Sequence, residues 1–155
     1  MKKEKVTLHK FSTYKVRTIL ERVSDPLEMR IINGSKDAYE FLRPFYEEEM
    51  ESREKFIAMY LNRNNRVIGH ELISIGGITG TVADVRLMLR SIIEIGACGL
   101  ILSHNHPSGN LNPSQQDADL TNKIKQACKY HDVALLDHII LTYSSYHSFS
   151  DCGAL

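Results

Sequence analysis

The chain has 155 residues, 43% of them hydrophobic and 25% charged, proportions of a soluble globular protein able to bury a core of its own. A disordered or fibrous chain is excluded. Lys+Arg and Asp+Glu both total 19, so the formal net charge is zero and the overall balance gives no support to a nucleic-acid or acidic-membrane partner.

Cys98, Cys128 and Cys152 are odd in number, widely spaced and without a CxxC pair. They speak against a disulfide framework or a thiolate zinc cage and suit a reducing compartment. The basic start Met1-Lys2-Lys3 is followed by no apolar signal region, and no apolar run approaches the ~18–20 residues of a membrane span. The expectation is a cytoplasmic protein with no membrane partner.

The chain reads as an N-terminal extension, residues 1–50, followed by one domain, 51–155. Val6 to Ile19 partly alternates and predicts one or two edge strands, whose open edges allow pairing with a second copy in a homodimer. Asn33-Gly34-Ser35 reads as a turn, with Ser35 capping a helix that carries Ala38, Phe41, Leu42 and Phe45 at helical spacing and Pro44 at a kink. The acidic run Glu47 to Glu51 ends it on a solvated face.

Lys55 to Leu61 and Arg66 to Ile75 are apolar, β-prone runs around Asn62-Arg63-Asn64-Asn65, which predicts a hairpin because Asn tolerates positive φ. Thr81-x-x-Asp84 opens a helix whose apolar stripe is Val82, Val85, Met88, Leu89, Ile92 and Ile93, ending near Gly96. Gly99 to Ser103 is wholly apolar up to its last residue and belongs in the middle of a sheet. After a loop rich in Pro, Gly and Asn, Ser114 opens a helix through about Tyr130. Val133 to Leu136, His138 to Thr142 and His147 to Ser150 are strand-like. Strands alternating with helices predict an α/β (α+β) fold, a mixed central sheet flanked by helices.

The chemistry concentrates in Ser103-His104-Asn105-His106-Pro107-Ser108-Gly109-Asn110-Leu111-Asn112-Pro113-Ser114-Gln115-Gln116-Asp117. Two histidines at i and i+2 leaving a strand project to one side, as two imidazoles must to share an ion. Asp117 can be a third ligand. Three N/O ligands leave a tetrahedral zinc one open position, the arrangement of a catalytic site. Taken alone, Ser114-x-x-Asp117 is a helix cap with an acid in the first turn, and both roles can hold together. Glu71, read as sharing a strand face with Val67, Ile73 and Ile75, is a carboxylate in apolar surroundings. Desolvation would raise its pKa towards that of a general base.

His104-x-His106, seven residues, Ser114, two residues and Asp117, with Glu71 upstream, resembles the JAMM (JAB1/MPN+) metalloprotease signature. His70-Glu71-Leu72-Ile73-Ser74-Ile75-Gly76, the run Ser103 to Asn110 and Asp137-His138-Ile139-Ile140 look like the RadC branch of that family. The resemblance spans Glu54 to Leu155. It implies a JAB/MPN fold, similar to the cytidine-deaminase-like sandwich, and one zinc ion held by His104, His106 and Asp117. It further implies Glu71 as general acid/base and Ser114 as a stabiliser of the oxyanion. The implied reaction is hydrolysis of a peptide or isopeptide bond in a peptide or protein substrate.

Full-length RadC proteins resemble a helix-hairpin-helix DNA-binding module joined to such a domain, and no such module is legible in residues 1–50. The competing expectation is a DNA-repair-associated or protein-binding module whose zinc site is not used for proteolysis. A zinc deaminase would need His-x-Glu with Pro-Cys-x-x-Cys, which these cysteines cannot supply. A GxSxG serine hydrolase motif is also absent. His138, beside Asp137, is a candidate for orienting a ligand from behind.

Overall fold

Lys55–Leu61 (β1) is buried along nearly its whole length, as expected of a strand covered on both faces. The computed structural model describes residues 30–76 and 83–155, and in it β1 lies between two antiparallel neighbours. One neighbour is Val67–Ile75 (β2), joined to it by the predicted hairpin. Asn65 takes φ 54°, and the Asn62 side-chain oxygen accepts from the backbone N–H groups of Asn64 and Arg66. The other neighbour is Gly99–Asn105 (β3), buried at every residue. Ala134–Leu141 (β4) runs parallel to β3, and Tyr146–Ser148 (β5) closes the order β2-β1-β3-β4-β5.

The helices cover both faces of this sheet. Ser35–Leu42 (α1), with a 3-10 turn at Arg43–Phe45, packs Ala38 and Leu42 against Ile57, Met59, Ile101 and Ile139. On the opposite face, Val85–Ile95 (α2) and Gln115–Lys129 (α3) bring Met88, Ile92, Ile124 and Cys128 onto Ala58, Tyr60, Leu100 and Leu102. Burying each large aliphatic side chain contributes about 1.5–3 kcal/mol, so the sheet is held from two sides by separate cores. This is the expected mixed sheet between helices, consistent with the JAB/MPN fold. Residues from Ile32 to Met50 belong to the α1-side core. Among the described residues no helix is long and apolar enough to cross a membrane.

Several local expectations are corrected. Gly34, not Ser35, is the α1 cap residue; Ser35 is the first helical residue, and its hydroxyl donates to Asp151 at 2.6 Å. Asp84 caps α2 by accepting from Arg86 N–H, while Thr81 and Val82 lie outside the described residues, as do the strands expected at 6–19. The two strand-like runs before Thr142 form one strand with an irregularity at Leu136, and the last strand starts at Tyr146 rather than His147. α2 stops at Gly96, whose φ of 67° only glycine adopts freely. Gly99 has another reason: a Cβ there would meet a Leu136 methyl at 2.9 Å.

Candidate metal centre

β3 delivers the site. Its residues alternate faces, so Ser103 points to the α1 side, where its hydroxyl meets Tyr46 at 2.7 Å, and His104 points to the α2/α3 side, stacked on Phe56. Asn105 turns back to the α1 side. His106 follows on the face of His104, its backbone N–H bonded to Leu141 O as the β3–β4 ladder ends.

The connecting loop folds back because its residues satisfy one another. Gly109 takes φ 77°, its N–H bonds His106 O, and Asn110 Oδ1 accepts from Asn112 N–H. Ser114 then caps α3 in a reciprocal box: its hydroxyl oxygen accepts from Asp117 N–H, while Asp117 Oδ2 accepts from Ser114 N–H and Oγ. This fixes Asp117 one turn inside the helix with Oδ1 towards β3.

Three ligand atoms meet there. His104 Nε2 lies 2.9 Å from His106 Nε2 and 3.2 Å from Asp117 Oδ1, and His106 Nε2 is 3.6 Å from Asp117 Oδ2. His104 is fully buried, and the other two side chains are about 15% exposed. His106 Nδ1 donates to Asn110 O at 2.6 Å, which turns Nε2 to the cluster. Burial would raise the Asp117 carboxyl, but hydrogen bonds from His104 and His106 hold it far below the usual carboxylate range. The same bond to Asp117 raises His106, with smaller help from Asn110 and the charge of Glu54. Two imidazole nitrogens and one carboxylate, half-enclosed and steered from behind, are a donor set that fits a divalent cation such as zinc.

A family model described as RadC-like JAB domain matches residues 32–154. The chain belongs to the RadC-like JAB domain family. It is 47% identical over 86% of its length to a UPF0758 protein of Flavobacterium johnsoniae, and 36% over 80% to one of Aquifex aeolicus. A UPF0758 protein of Chlorobium chlorochromatii is 37% identical over 83% of the chain. The alignments span only 52–57% of the length of these relatives.

The other expected residues of this RadC-like domain are placed differently. Glu71 stands opposite Ala58, which stands opposite Leu102, whereas His104 is opposite Phe56. Its carboxylate accepts from Tyr60 Oη at 2.8 Å and Ser91 Oγ at 2.6 Å, bonds that join β1, β2 and α2. Two register shifts in the hairpin also alter its face: Val67 packs in the α1-side core, while Ile73 packs with Ala58 on the other. Strict alternation therefore placed Ile73 on the right face and Val67 on the wrong one. Ser114 donates its hydroxyl to Asp117.

A carboxylate near the cluster to which sequence reading gave no role is Glu54. Phe56 pairs with His104, and Lys55 N–H bonds the Asn105 side chain, so Glu54, one residue ahead of β1, lies at the His106 end of β3. Glu54 is half-buried, and its charge is felt at His106. The available signal was its position just ahead of β1, two residues before a strand that pairs with the histidine strand.

Proposed function

We propose that this RadC-like domain is a zinc-dependent hydrolase of the JAMM type that cleaves a peptide or isopeptide bond, with Glu54 rather than Glu71 as its acid/base. The carrying observation is the convergence of His104, His106 and Asp117 on one point, with a half-buried carboxylate, Glu54, near enough for its charge to act on His106. These three residues would hold the ion. Bound there, zinc would supply Lewis acidity to a carbonyl and make a water nucleophilic near neutral pH.

Glu54 takes the proton of the attacking water and returns it to the departing amine, so one carboxylate serves both halves of the reaction. Asp117 stays ionised. His106 is kept aimed by Asn110, and Ser114 holds Asp117 while sitting beside the position of an oxyanion. Glu71, engaged by Tyr60 and Ser91, serves the β2–α2 contact.

The test uses zinc-loaded protein against a library of peptides and ε-lysyl isopeptides. Cleavage that Glu54→Gln abolishes and Glu71→Gln retains, with zinc content unchanged in both, supports the reading. Loss through Glu71→Gln alone returns the base to Glu71. No cleavage by the unsubstituted protein, together with salt-dependent retardation of duplex DNA, favours the binding-module reading.

A further inference from the structure

His138 and Thr121 stand behind the site and are untouched by the mechanism. Thr121 Oγ1 lies 2.5 Å from the carbonyl oxygen of Asp117 and 2.6 Å from His138 Nδ1. A carbonyl oxygen only accepts, so the single hydroxyl hydrogen of Thr121 goes to Asp117, and the hydroxyl oxygen accepts from His138 Nδ1–H. His138 is wholly buried, stacked on Phe149 and edge-on to Phe56, with its ring nitrogens facing only a hydroxyl and another imidazole. Its other ring nitrogen, Nε2, is hydrogen-bonded to His104 Nδ1 at 2.8 Å. The opposite nitrogen of the His104 ring, Nε2, is thereby turned towards His106 and Asp117.

We infer that His138 and Thr121 are positioning residues of the metal centre, forming a hydrogen-bond relay from the Asp117 carbonyl to His104 that holds the His104 ring in its metal-binding orientation before an ion arrives. Asp117 belongs to both ends of this circuit: its carboxylate faces the cluster and its backbone carbonyl anchors the relay. α3, β4 and β3 are thus tied together behind the site, and the cost of orienting the ring is met during folding rather than on metal binding. The inference rests on the reading of His104, His106 and Asp117 as ligands.

The experiment measures zinc dissociation constants by chelator competition, with circular dichroism on every variant. Thr121→Val and His138→Gln should weaken zinc by about 10- to 100-fold, and Thr121→Ser should return affinity to within about twofold of the unsubstituted chain. Nitrogen-15 NMR of the unsubstituted, metal-free protein should find a scalar coupling between His138 Nε2 and His104 Nδ1 across their hydrogen bond, a readout that does not depend on a variant folding. Absence of that coupling, or folded Thr121→Val and His138→Gln proteins with unchanged affinity, would overturn the relay. Stoichiometric zinc on His104→Ala would instead overturn the ligand assignment, so the two failures are distinct.

Discussion

Asn105 and Lys55 meet across two antiparallel strands: the Lys55 N–H donates to Asn105 Oδ1 at 2.8 Å. The Asn105 Nδ2 group donates to Met50 O and Arg53 O, so one buried amide holds the turn that precedes β1 against the end of β3. Glu54 lies inside the clamped segment. The residue between His104 and His106 therefore sets where Glu54 stands.

Asn105→Ala removes three hydrogen bonds and leaves buried backbone groups without partners, at an expected loss of about 2–4 kcal/mol in urea unfolding. Zinc affinity should fall less than turnover, because Glu54 and not the ligands is released. An Asn105→Ala protein as stable as the parent would contradict the clamp.

His104→Ala and Asp117→Ala should each lose zinc from the roughly one ion per chain expected of purified protein, read by metal analysis after dialysis. Zinc retained in either variant removes that residue from the ligand set.

Ser114→Ala should lower stability by about 1 kcal/mol through loss of the α3 cap, whereas Ser114→Gly, a tolerated cap residue, should recover much of it. Both remove the serine hydroxyl beside the site. If the hydroxyl also acts on substrate, turnover stays low in Ser114→Gly despite its restored melting temperature; equal recovery of stability and turnover would assign the serine to capping alone.

Glu71→Ala strands the hydroxyls of Tyr60 and Ser91 between β1 and α2 and should cost about 1–3 kcal/mol. The partner change Tyr60→Phe should be less harmful in the Glu71→Ala background than alone, since the hydroxyl then has no carboxylate to lose. Thermal melts of the four proteins measure this coupling.

Glu49 pairs with Lys55 at 2.7 Å, and that hydrogen bond lowers its carboxyl below the usual 4.5. A depressed native pKa means a stabilising contribution present above pH 4.5 and lost as pH falls through the lowered value. Glu49→Gln should therefore melt below the parent at pH 7, with the gap closing on acidification and shrinking in high salt. A gap that widens as pH falls would reverse the sign and refute the pairing.

Much of this molecule follows from interactions within a few residues. Capping of α3 by Ser114, the stop at Gly96, the Asn-rich hairpin and the same-sided pair His104 and His106 depend on local dihedrals and on the two-residue repeat of a strand, so they were legible in sequence alone. The approach of Asp117 to those histidines was implied by family spacing, but its geometry depends on a loop closing over Gly109 and Asn110.

Only tertiary structure brought Glu54 near His106 and showed that His138, a candidate from its place beside Asp137, touches His104. Glu71 lay in the motif-like stretch, yet two irregularities in the hairpin and its bonds to Tyr60 and Ser91 set its place. Glu54 gained its position because β1 inserts between β2 and β3. His138 reaches His104 through the parallel pairing of β3 and β4 across α3. Strand order and register are chosen by burial of whole faces and by loop closure over tens of residues, and no short window of sequence carries that information.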